Sequence, residues 1–277
     1  MGKYRILKKV SFVLGFMLCS FPLVSGVIQQ HYLSNVVDSY KKMIEESSSS
    51  SFSEELERAN NYNEVLYESI SSVVSEDKMS LLAENNYNEI LNINDGLMGS
   101  IEIPKININL PIYHGTSDEV LSSGVGHVVG SSLPVGGVNT KSILTGHRGL
   151  PSSKLFTRLD ELELGDLFYI SVLGETLAYK VVDISVIEPE DVSNLKIEEG
   201  KDLVSLITCT PYGINTHRLV VTGNRIEYSK EVYKNIDKDN FSVVDIVFII
   251  IPTTFIVILL VKIIKNRKEN NNEVKEN

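Results

Sequence analysis

The sequence has only two cysteines, Cys19 and Cys209, in 277 residues. Two cysteines exclude the disulfide framework of a small secreted domain and any zinc or iron–sulfur site built from several cysteines. Positive charge is also scarce, since 26 Lys and Arg residues face 36 Asp and Glu residues and the net charge is −10. Nucleic-acid-binding proteins are normally basic, so that class is disfavoured. With 43% hydrophobic residues the chain can bury a core, which excludes wholesale disorder.

Charge is absent from one long run, residues 10–28, and almost absent from a second, 243–261, where Asp245 is the one charged residue. Each run reaches the roughly 20 apolar residues that a helix needs to cross a bilayer. Basic residues stand before the first run and after the second: Lys3, Arg5, Lys8 and Lys9, then Lys262, Lys265, Arg267 and Lys268. Because cytoplasmic flanks are enriched in Lys and Arg, we predict transmembrane helices at 10–28 and 243–264. The termini, 1–9 and 265–277, are then cytoplasmic and the part between the helices is extracellular.

A cleaved signal peptide is the alternative for the first run. Its basic start fits a signal peptide, but no clear small-x-small cleavage site follows, and Ser25-Gly26-Val27 is a poor candidate. An uncleaved anchor is therefore favoured. Cys19 is then an ordinary apolar residue of a helix.

Between the two runs, the character of the sequence changes at residue 99. Residues 29–98 are rich in helix formers and predict a helical stalk region, with a break at the serine run 47–51. The stretch 60–66 (Asn-Asn-Tyr-Asn-Glu-Val-Leu) recurs as 85–91 (Asn-Asn-Tyr-Asn-Glu-Ile-Leu). This echo predicts two similar helical pieces that pack on one body. Residues 229–242 are interpreted as a linker.

Eight short β-type segments lie between residues 99 and 228, separated by Gly, Pro, Asn and Asp. They are 99–104, 107–113, 124–129, 140–145, 167–172, 176–184, 203–209 and 218–227. Closely spaced strands with little helix between them predict a mainly β domain, either a closed barrel or a sandwich. One short helix is predicted over 155–162, where Phe156, Leu159 and Leu162 recur at helical spacing.

Cys209 ends one of these strands and is followed by the turn sequence Thr-Pro-Tyr-Gly. A thiol at the mouth of a strand suits a nucleophile, although on position alone a buried structural cysteine is an equal alternative. A cysteine nucleophile needs a partner that handles a proton, and histidine is the usual one. Arg218 opens the next strand and could stabilise an oxyanion in the same cleft, or else form a surface ion pair.

The five histidines are candidates for that partner: His31, His114, His127, His147 and His217. His31 lies just outside the first apolar run and is expected at the membrane interface. His114, His127 and His147 stand near glycines at strand ends, and spacing alone does not rank these three. No histidine belongs to a metal-ligand pattern such as His-x-x-x-His, so no metal site is predicted.

Several runs of the sequence resemble the sortase family. The run 205–209, Ser-Leu-Ile-Thr-Cys, is similar to the sortase signature Thr-Leu-x-Thr-Cys, with Ser205 in place of the first Thr. Residues 145–147, Thr-Gly-His, resemble the histidine motif of the family, and Arg218 falls where the family has its arginine. Longer runs resemble class C, the pilus-assembling sortases, within a match over about 85–228; these runs are 98–106, 110–115, 132–137, 146–151 and 208–218.

The resemblance implies a closed eight-stranded β-barrel and a cysteine transpeptidase without an organic cofactor. Cys209 would attack the Thr–Gly carbonyl of an LPxTG-like sorting signal and form a thioester. His147 would protonate the leaving amine and deprotonate the incoming one, and Arg218 would hold the substrate backbone or the oxyanion. The acceptor would be a pilin lysine or a cell-wall peptide amine on a Gram-positive cell surface. The resemblance implies structural roles for His114, His127 and His217.

One departure from class C concerns the lid, which commonly carries an Asp-Pro-aromatic motif. The interval 71–84 has no such triplet. Asp77 with Met79 is a candidate degenerate lid, but a lidless or differently gated site is favoured. Two other functions stay open: a housekeeping sortase that anchors proteins to peptidoglycan with the same three residues, and a non-catalytic surface-binding domain that needs none of them.

Overall fold

The computed structural model describes residues 2–46, 49–71, 79–82, 84–93, 95–150 and 153–236, and then residues 250, 253–259, 261 and 264–265. The chain divides into two compact units. One unit comprises Met1–Ile28 and Phe241–Asn277, and the other comprises Gln29–Asn240. The second unit contains the strands and every site residue predicted from the sequence.

The two predicted membrane segments belong to the first unit. The segment 10–28 lies in the N-terminal part of helix α1 (Gly2–Glu46), and most of the segment 243–264 lies outside the described residues. Crossing a bilayer takes about 20 largely apolar residues in one helix. Among the described residues, no helix combines that length with enough apolar character, so the structure does not support the two predicted transmembrane helices.

Other α-helices are α2 (Ser49–Ser71), α3 (Glu84–Glu89), α4 (Asp118–Ser123) and α5 (Lys230–Lys234). Residues 253–259 are also helical. Short 3-10 turns occur at Ser80–Leu82, Pro104–Ile106, Leu159–Glu161 and Ser193–Leu195. The helix predicted over 155–162 is wrong, because only its second half forms a 3-10 turn. Leu155 has φ +31°, which is incompatible with a right-handed helix at that position.

Eight strands close into a barrel. They are β1 (Leu97–Ile103), β2 (Ile108–His114), β3 (Val125–His127), β4 (Thr140–Thr145), β5 (Leu167–Val172), β6 (Glu175–Ile187), β7 (Asp202–Thr210) and β8 (His217–Ile226). Their order around the barrel is β1-β2-β3-β4-β7-β8-β6-β5. The eight predicted strands are therefore confirmed, and the barrel is selected over the sandwich.

Strand alternation decides which side chains fill the barrel. On β7, Val204 and Leu206 are buried in the main core together with Leu144 of β4. Ile207 belongs instead to a separate apolar cluster, because successive side chains on a strand point to opposite faces. Cys209 lies two residues beyond Ile207 and so shares its outward face.

The helices before the barrel pack on it. Four residues of α1 at helical spacing are buried: Leu33, Val37, Tyr40 and Ile44. The Tyr40 hydroxyl donates to Met98 O at 3.3 Å and accepts from Leu173 N at 2.9 Å. Since Met98 is the second residue of β1 and Leu173 follows β5, this hydroxyl attaches the helix to two strands.

The repeated stretch provides a second attachment. Tyr62 of α2 and Tyr87 of α3 are both buried, with ring centroids 6.3 Å apart. Asn63 exchanges two hydrogen bonds with the backbone of Leu133, at 3.1 and 2.7 Å. The prediction of two similar helical pieces on one body is confirmed.

The candidate lid falls mostly outside the described residues, which omit 72–78 and 83. Asp77 is in that gap. Met79 is described, and 47% of it is exposed. The favoured lidless or differently gated site stays a prediction.

Candidate active site

Cys209 and Arg218 lie directly opposite each other on two neighbouring strands. β7 and β8 are antiparallel, and Cys209 and Arg218 are partners in their register. Directly opposed residues of an antiparallel pair share a face, with Cβ atoms about 4.5–5.5 Å apart. The register therefore puts both residues on one face of the sheet. Cys209 is a free, partly exposed thiol.

The Arg218 guanidinium is held by backbone carbonyls near the start of β8. Its Nη1 donates to His217 O at 3.1 Å and to Asn215 O at 3.4 Å. The side chain is partly exposed. Carbonyl oxygens accept from this one nitrogen, and the other N–H groups of the guanidinium can serve an incoming oxygen.

His147 follows β4, the neighbour of β7 on the side opposite β8. β4 runs parallel to β7, with Thr145 opposite Ile207. Beyond that pair, Gly146 N donates to Ile207 O at 3.0 Å, and Thr208 Oγ1 donates to Gly146 O at 2.7 Å. This last bond joins Gly146, the residue before His147, to Thr208, the residue before Cys209. The imidazole and thiol segments are thus joined directly.

Glycine is required beside His147 for steric reasons. A Cβ on Gly146 would lie 2.9 Å from the Phe156 ring, and Gly149 has φ +79°. Phe156 N also donates to His147 O at 3.1 Å. The flanking glycines let the His147 segment pass close to Phe156 and turn sharply.

An apolar cluster covers the outer face of the barrel leading to Cys209. It consists of one residue from each of four strands, Ile143, Ile187, Ile207 and Val220, with Val128 and Leu195 packed against them. We call this set the outer apolar cluster. Ile207 and Val220 are register partners, and each is two residues from Cys209 or Arg218 on the same face. The four side chains are between 1% and 8% exposed, so they form a small second core next to the strand ends that carry Cys209 and Arg218.

The other histidines are bound elsewhere. His127 is fully buried, with Nδ1 2.9 Å from Tyr87 Oη and Nε2 2.8 Å from Ser132 O. Burial lowers the pKa of His127 to about 4, so its imidazole is neutral at physiological pH.

His114 contacts two backbone carbonyls, Gly96 O at 2.9 Å and Ile90 O at 2.7 Å. His217 lies 3.2 Å from a Glu188 carboxylate oxygen, and His31 is an exposed residue of α1. Two of the five histidines therefore lie next to the Cys209 strand: His147, which follows Gly146, and His217, the register partner of Thr210. Within the described residues, no group of three or more His, Cys, Asp or Glu could hold a metal ion.

No separate role was predicted for Arg148, although it belongs to the run 146–151 that resembles class C. In the structure its side chain is 7% exposed and lies between the segments that carry His147 and Cys209. The sequence shows only that an arginine follows the candidate histidine. That position does not tell whether the arginine forms a surface ion pair or is buried between two segments.

Comparison with known proteins identifies relatives for the barrel. A family profile described as sortase domain matches residues 101–226. Sortase D of Bacillus subtilis (strain 168) is 34% identical over 131 residues, which cover 46% of this chain and 63% of that protein. The chain thus spans less than two thirds of the length of this curated relative.

Two solved structures match more completely. Sortase C of Clostridium perfringens, solved with the C-terminal cell wall sorting motif, is 43% identical with a TM-score of 0.62, and the match covers 70% of this chain and 100% of that chain. Sortase C of Streptococcus pneumoniae, whose structure addresses catalysis and pilin substrate specificity, is 38% identical with a TM-score of 0.62. That match covers 70% of this chain and 97% of that chain.

Proposed function

This chain belongs to the sortase family, and on that premise we propose that it is a cysteine transpeptidase acting on LPxTG-like sorting signals. One observation carries the proposal. Cys209 faces Arg218 across the β7–β8 pair, and the His147 segment is bonded to the residue before Cys209 through Thr208 and Gly146. This arrangement supports a site in which Cys209 is the nucleophile, His147 the proton carrier and Arg218 the cation.

The reaction proceeds in two transfers. The Cys209 sulfur attacks the carbonyl carbon of the Thr–Gly bond, and the C–N bond breaks as His147 delivers a proton to the leaving amine. A thioester joins the threonine carbonyl to Cys209. An acceptor amine then attacks this carbonyl and gives a proton to His147, and the C–S bond breaks, which releases Cys209 as a thiolate.

Arg218 stabilises the oxyanion or holds the substrate backbone. Negative charge develops on the carbonyl oxygen in each transfer, and a fixed cation is most effective where it needs no reorganisation. The hydrogen bonds that the guanidinium donates to His217 O and Asn215 O hold it in place. Its position opposite Cys209 in the register supports this role.

The substrate class is proposed from the family and from a solved relative. The outer apolar cluster is buried beside Cys209 and supports the strands that carry the thiol. The sortase C of Clostridium perfringens, a relative at 43% identity, was solved with a cell wall sorting motif, which supports the same substrate class here.

We favour a pilin lysine as the acceptor, with a cell-wall peptide amine as the second candidate. The similarity to sortase C structures, one of them concerned with pilin substrate specificity, supports the pilin. The apolar runs 10–28 and 243–261 with their basic flanks support anchoring of the enzyme at the outer face of a Gram-positive cell membrane. Fractionation of membranes from expressing cells tests that placement.

The central experiment is mass spectrometry of the full chain with a panel of LPxTG-like peptides and candidate amines. We expect a thioester on Cys209 and an amide product with one acceptor class. Cys209→Ala should abolish both, whereas Cys19→Ala, which changes the other cysteine, should keep them. A lysine-containing pilin and a cell-wall stem peptide are compared as acceptors in the same mixture.

Two further variants test the roles at the site. His147→Ala and Arg218→Ala should each lower the transfer rate by about 10²–10⁴-fold, as expected for proton carriers and oxyanion donors. Arg225→Ala, on the same strand as Arg218, is the control for a lost charge. Normal products from Cys209→Ala would reject the transpeptidase. Absence of thioester in the folded wild-type chain would favour a non-catalytic surface-binding domain.

A further inference from the structure

Arg148 is a buried cation that bonds to three different segments around the site. Its side chain is 7% exposed. Nη1 donates to Thr210 Oγ1 at 3.1 Å, and Nη2 forms an ion pair with the Asp160 carboxylate. The guanidinium carbon lies 5.7 Å from the centre of the Tyr212 ring, within range of a cation–π contact.

These partners lie on either side of the proposed reaction centre. Arg148 follows His147, and Thr210 follows Cys209, so the 3.1 Å bond joins the segments that carry the imidazole and the thiol. Thr208 forms the matching bond on the other side of Cys209, to the residue before His147. The thiol segment is therefore fastened to the histidine segment both before and after Cys209.

Tyr212 adds a packing contact to the same junction. A Cβ on Gly149 would lie 3.2 Å from the Tyr212 ring, so the ring packs closely on the backbone that follows Arg148. Half of Tyr212 is exposed. The turn after β7 is thus held by a bond through Thr210 and by a ring stacked near the guanidinium.

Stability alone does not account for this arrangement. Burying a guanidinium costs desolvation energy that partners must offset, yet Arg148 Nε is buried without a hydrogen-bond partner in the part of the chain that the structure describes. Arg158 shows the contrasting case. It is also buried, but its Nε and Nη2 bond to Glu161 within one turn, and its Nη1 donates to Ile106 O.

We infer that Arg148 is a positioning residue that holds the His147 segment and the turn after Cys209 in the geometry that both transfers need. The inference rests on the proposed transpeptidase function. Misplacement of reacting groups by about 1 Å can cost about 100-fold in rate, and the Arg148 bridge spans the two segments whose separation matters. Asp160 and Thr210 act through Arg148.

The first test compares Arg148→Ala with the matched control Arg158→Ala in the full chain. For Arg148→Ala we expect kcat for thioester formation to fall about 100-fold, with KM changed by less than about threefold. Arg158→Ala should lower the melting temperature but keep kcat at a temperature where both variants are folded. An unchanged kcat in Arg148→Ala, or an equal loss in Arg158→Ala, would overturn the inference.

Two other variants separate bridging from charge. Arg148→Lys keeps the cation but loses the planar fork that reaches Thr210 and Asp160 together, so it should recover no more than about tenfold of the lost kcat. Asp160→Ala and Arg148→Ala should be strongly non-additive in a double-mutant cycle on kcat. Full recovery by lysine, or simple additivity, would contradict a bridge. If Arg148→Ala does not fold, Thr210→Val carries the test, with a loss of about tenfold in kcat expected.

A further measurement needs no sorting-signal peptide. It is the rate at which iodoacetamide alkylates Cys209 in a Cys19→Ala background. Arg148→Ala should slow alkylation as His147→Ala does, because both disturb the thiol–imidazole arrangement, and Arg158→Ala should not. If the wild-type chain forms no thioester, the proposed function fails. Slow alkylation in Arg148→Ala and His147→Ala would then still support the positioning role, and an unchanged rate in Arg148→Ala would refute it.

Discussion

Thr208→Val tests whether the bond between the thiol and histidine segments matters for both stability and transfer. Thr208 is 1% exposed, and its hydroxyl donates to Gly146 O at 2.7 Å. Valine has nearly the shape of threonine but no hydroxyl. The substitution therefore removes this donor from a buried carbonyl without opening a cavity.

The cost can be worked from the buried bond. Losing one partner of a buried hydrogen bond costs about 1–3 kcal/mol. The unit Gln29–Asn240 has roughly 210 residues, for which each kcal/mol lowers the melting temperature by about 2–4 °C. We therefore expect a melting temperature about 2–12 °C lower. The rate of thioester formation should fall at least about tenfold, because Gly146 precedes His147 and freedom there misplaces the imidazole.

Thr222→Val is the matched control, because it makes the same chemical change in the same barrel. Thr222 is 6% exposed, and its hydroxyl lies 2.9 Å from Ser205 Oγ. Thermal unfolding and single-turnover thioester formation are measured for both variants. Both should melt at lower temperature, and only Thr208→Val should lose activity. Wild-type activity in Thr208→Val, or an equal loss in Thr222→Val, would refute this account of the site.

Two further predictions concern stability. Asn63→Ala removes both hydrogen bonds to the Leu133 backbone and should lower the free energy of unfolding in urea by about 2–4 kcal/mol. Asn88 is the exposed residue at the equivalent position of the repeated stretch, and Asn88→Ala should change that free energy by less than about 0.5 kcal/mol. Similar values for the two variants would contradict the attachment through Asn63. Burial lowers the pKa of His127 to about 4 from 6.5; the unfolded chain therefore takes up a proton first, and stability falls as the pH drops from 6.5 to 4. Over that range the wild type should lose about 3 kcal/mol more than His127→Gln in urea unfolding, and parallel pH curves would show that His127 is not responsible.

Local patterns predicted the strands well, because each has its own alternation and its own flanking turn residues. The end of β6 shows the limit of such patterns. The predicted segment stops at Ile184, but the strand continues to Ile187. That extension pairs with Leu219 and Arg218 of β8, and a partner so distant in sequence leaves no local signal. Conversely, the periodic run 155–162 lacks a helix because Leu155 takes a positive φ.

The candidate site was predictable in its residue types but not in its assembly. Cys209 and Arg218 could be placed on successive strands from the sequence, and their pairing follows from one hairpin-like connection. His147 could not be chosen over His114 and His127 by spacing, and only the family resemblance selected it. The structure supplies the physical reason: β4 pairs in parallel with β7, and a parallel pair joins segments that need not be neighbours in the chain.

The parallel β4–β7 pair couples the barrel's stability to the placement of the site. Its register puts Leu144 and Leu206 in the core, and the same register sends Ile207 and Cys209 outward. A shift of one residue would move every side chain of β7 to the other face, burying Cys209 and exposing Leu206. The hydrophobic effect that closes the barrel therefore also fixes which face carries the thiol. The bonds from Thr208 and Arg148 only adjust the geometry that this register has set, so their removal should cost more in rate than in fold.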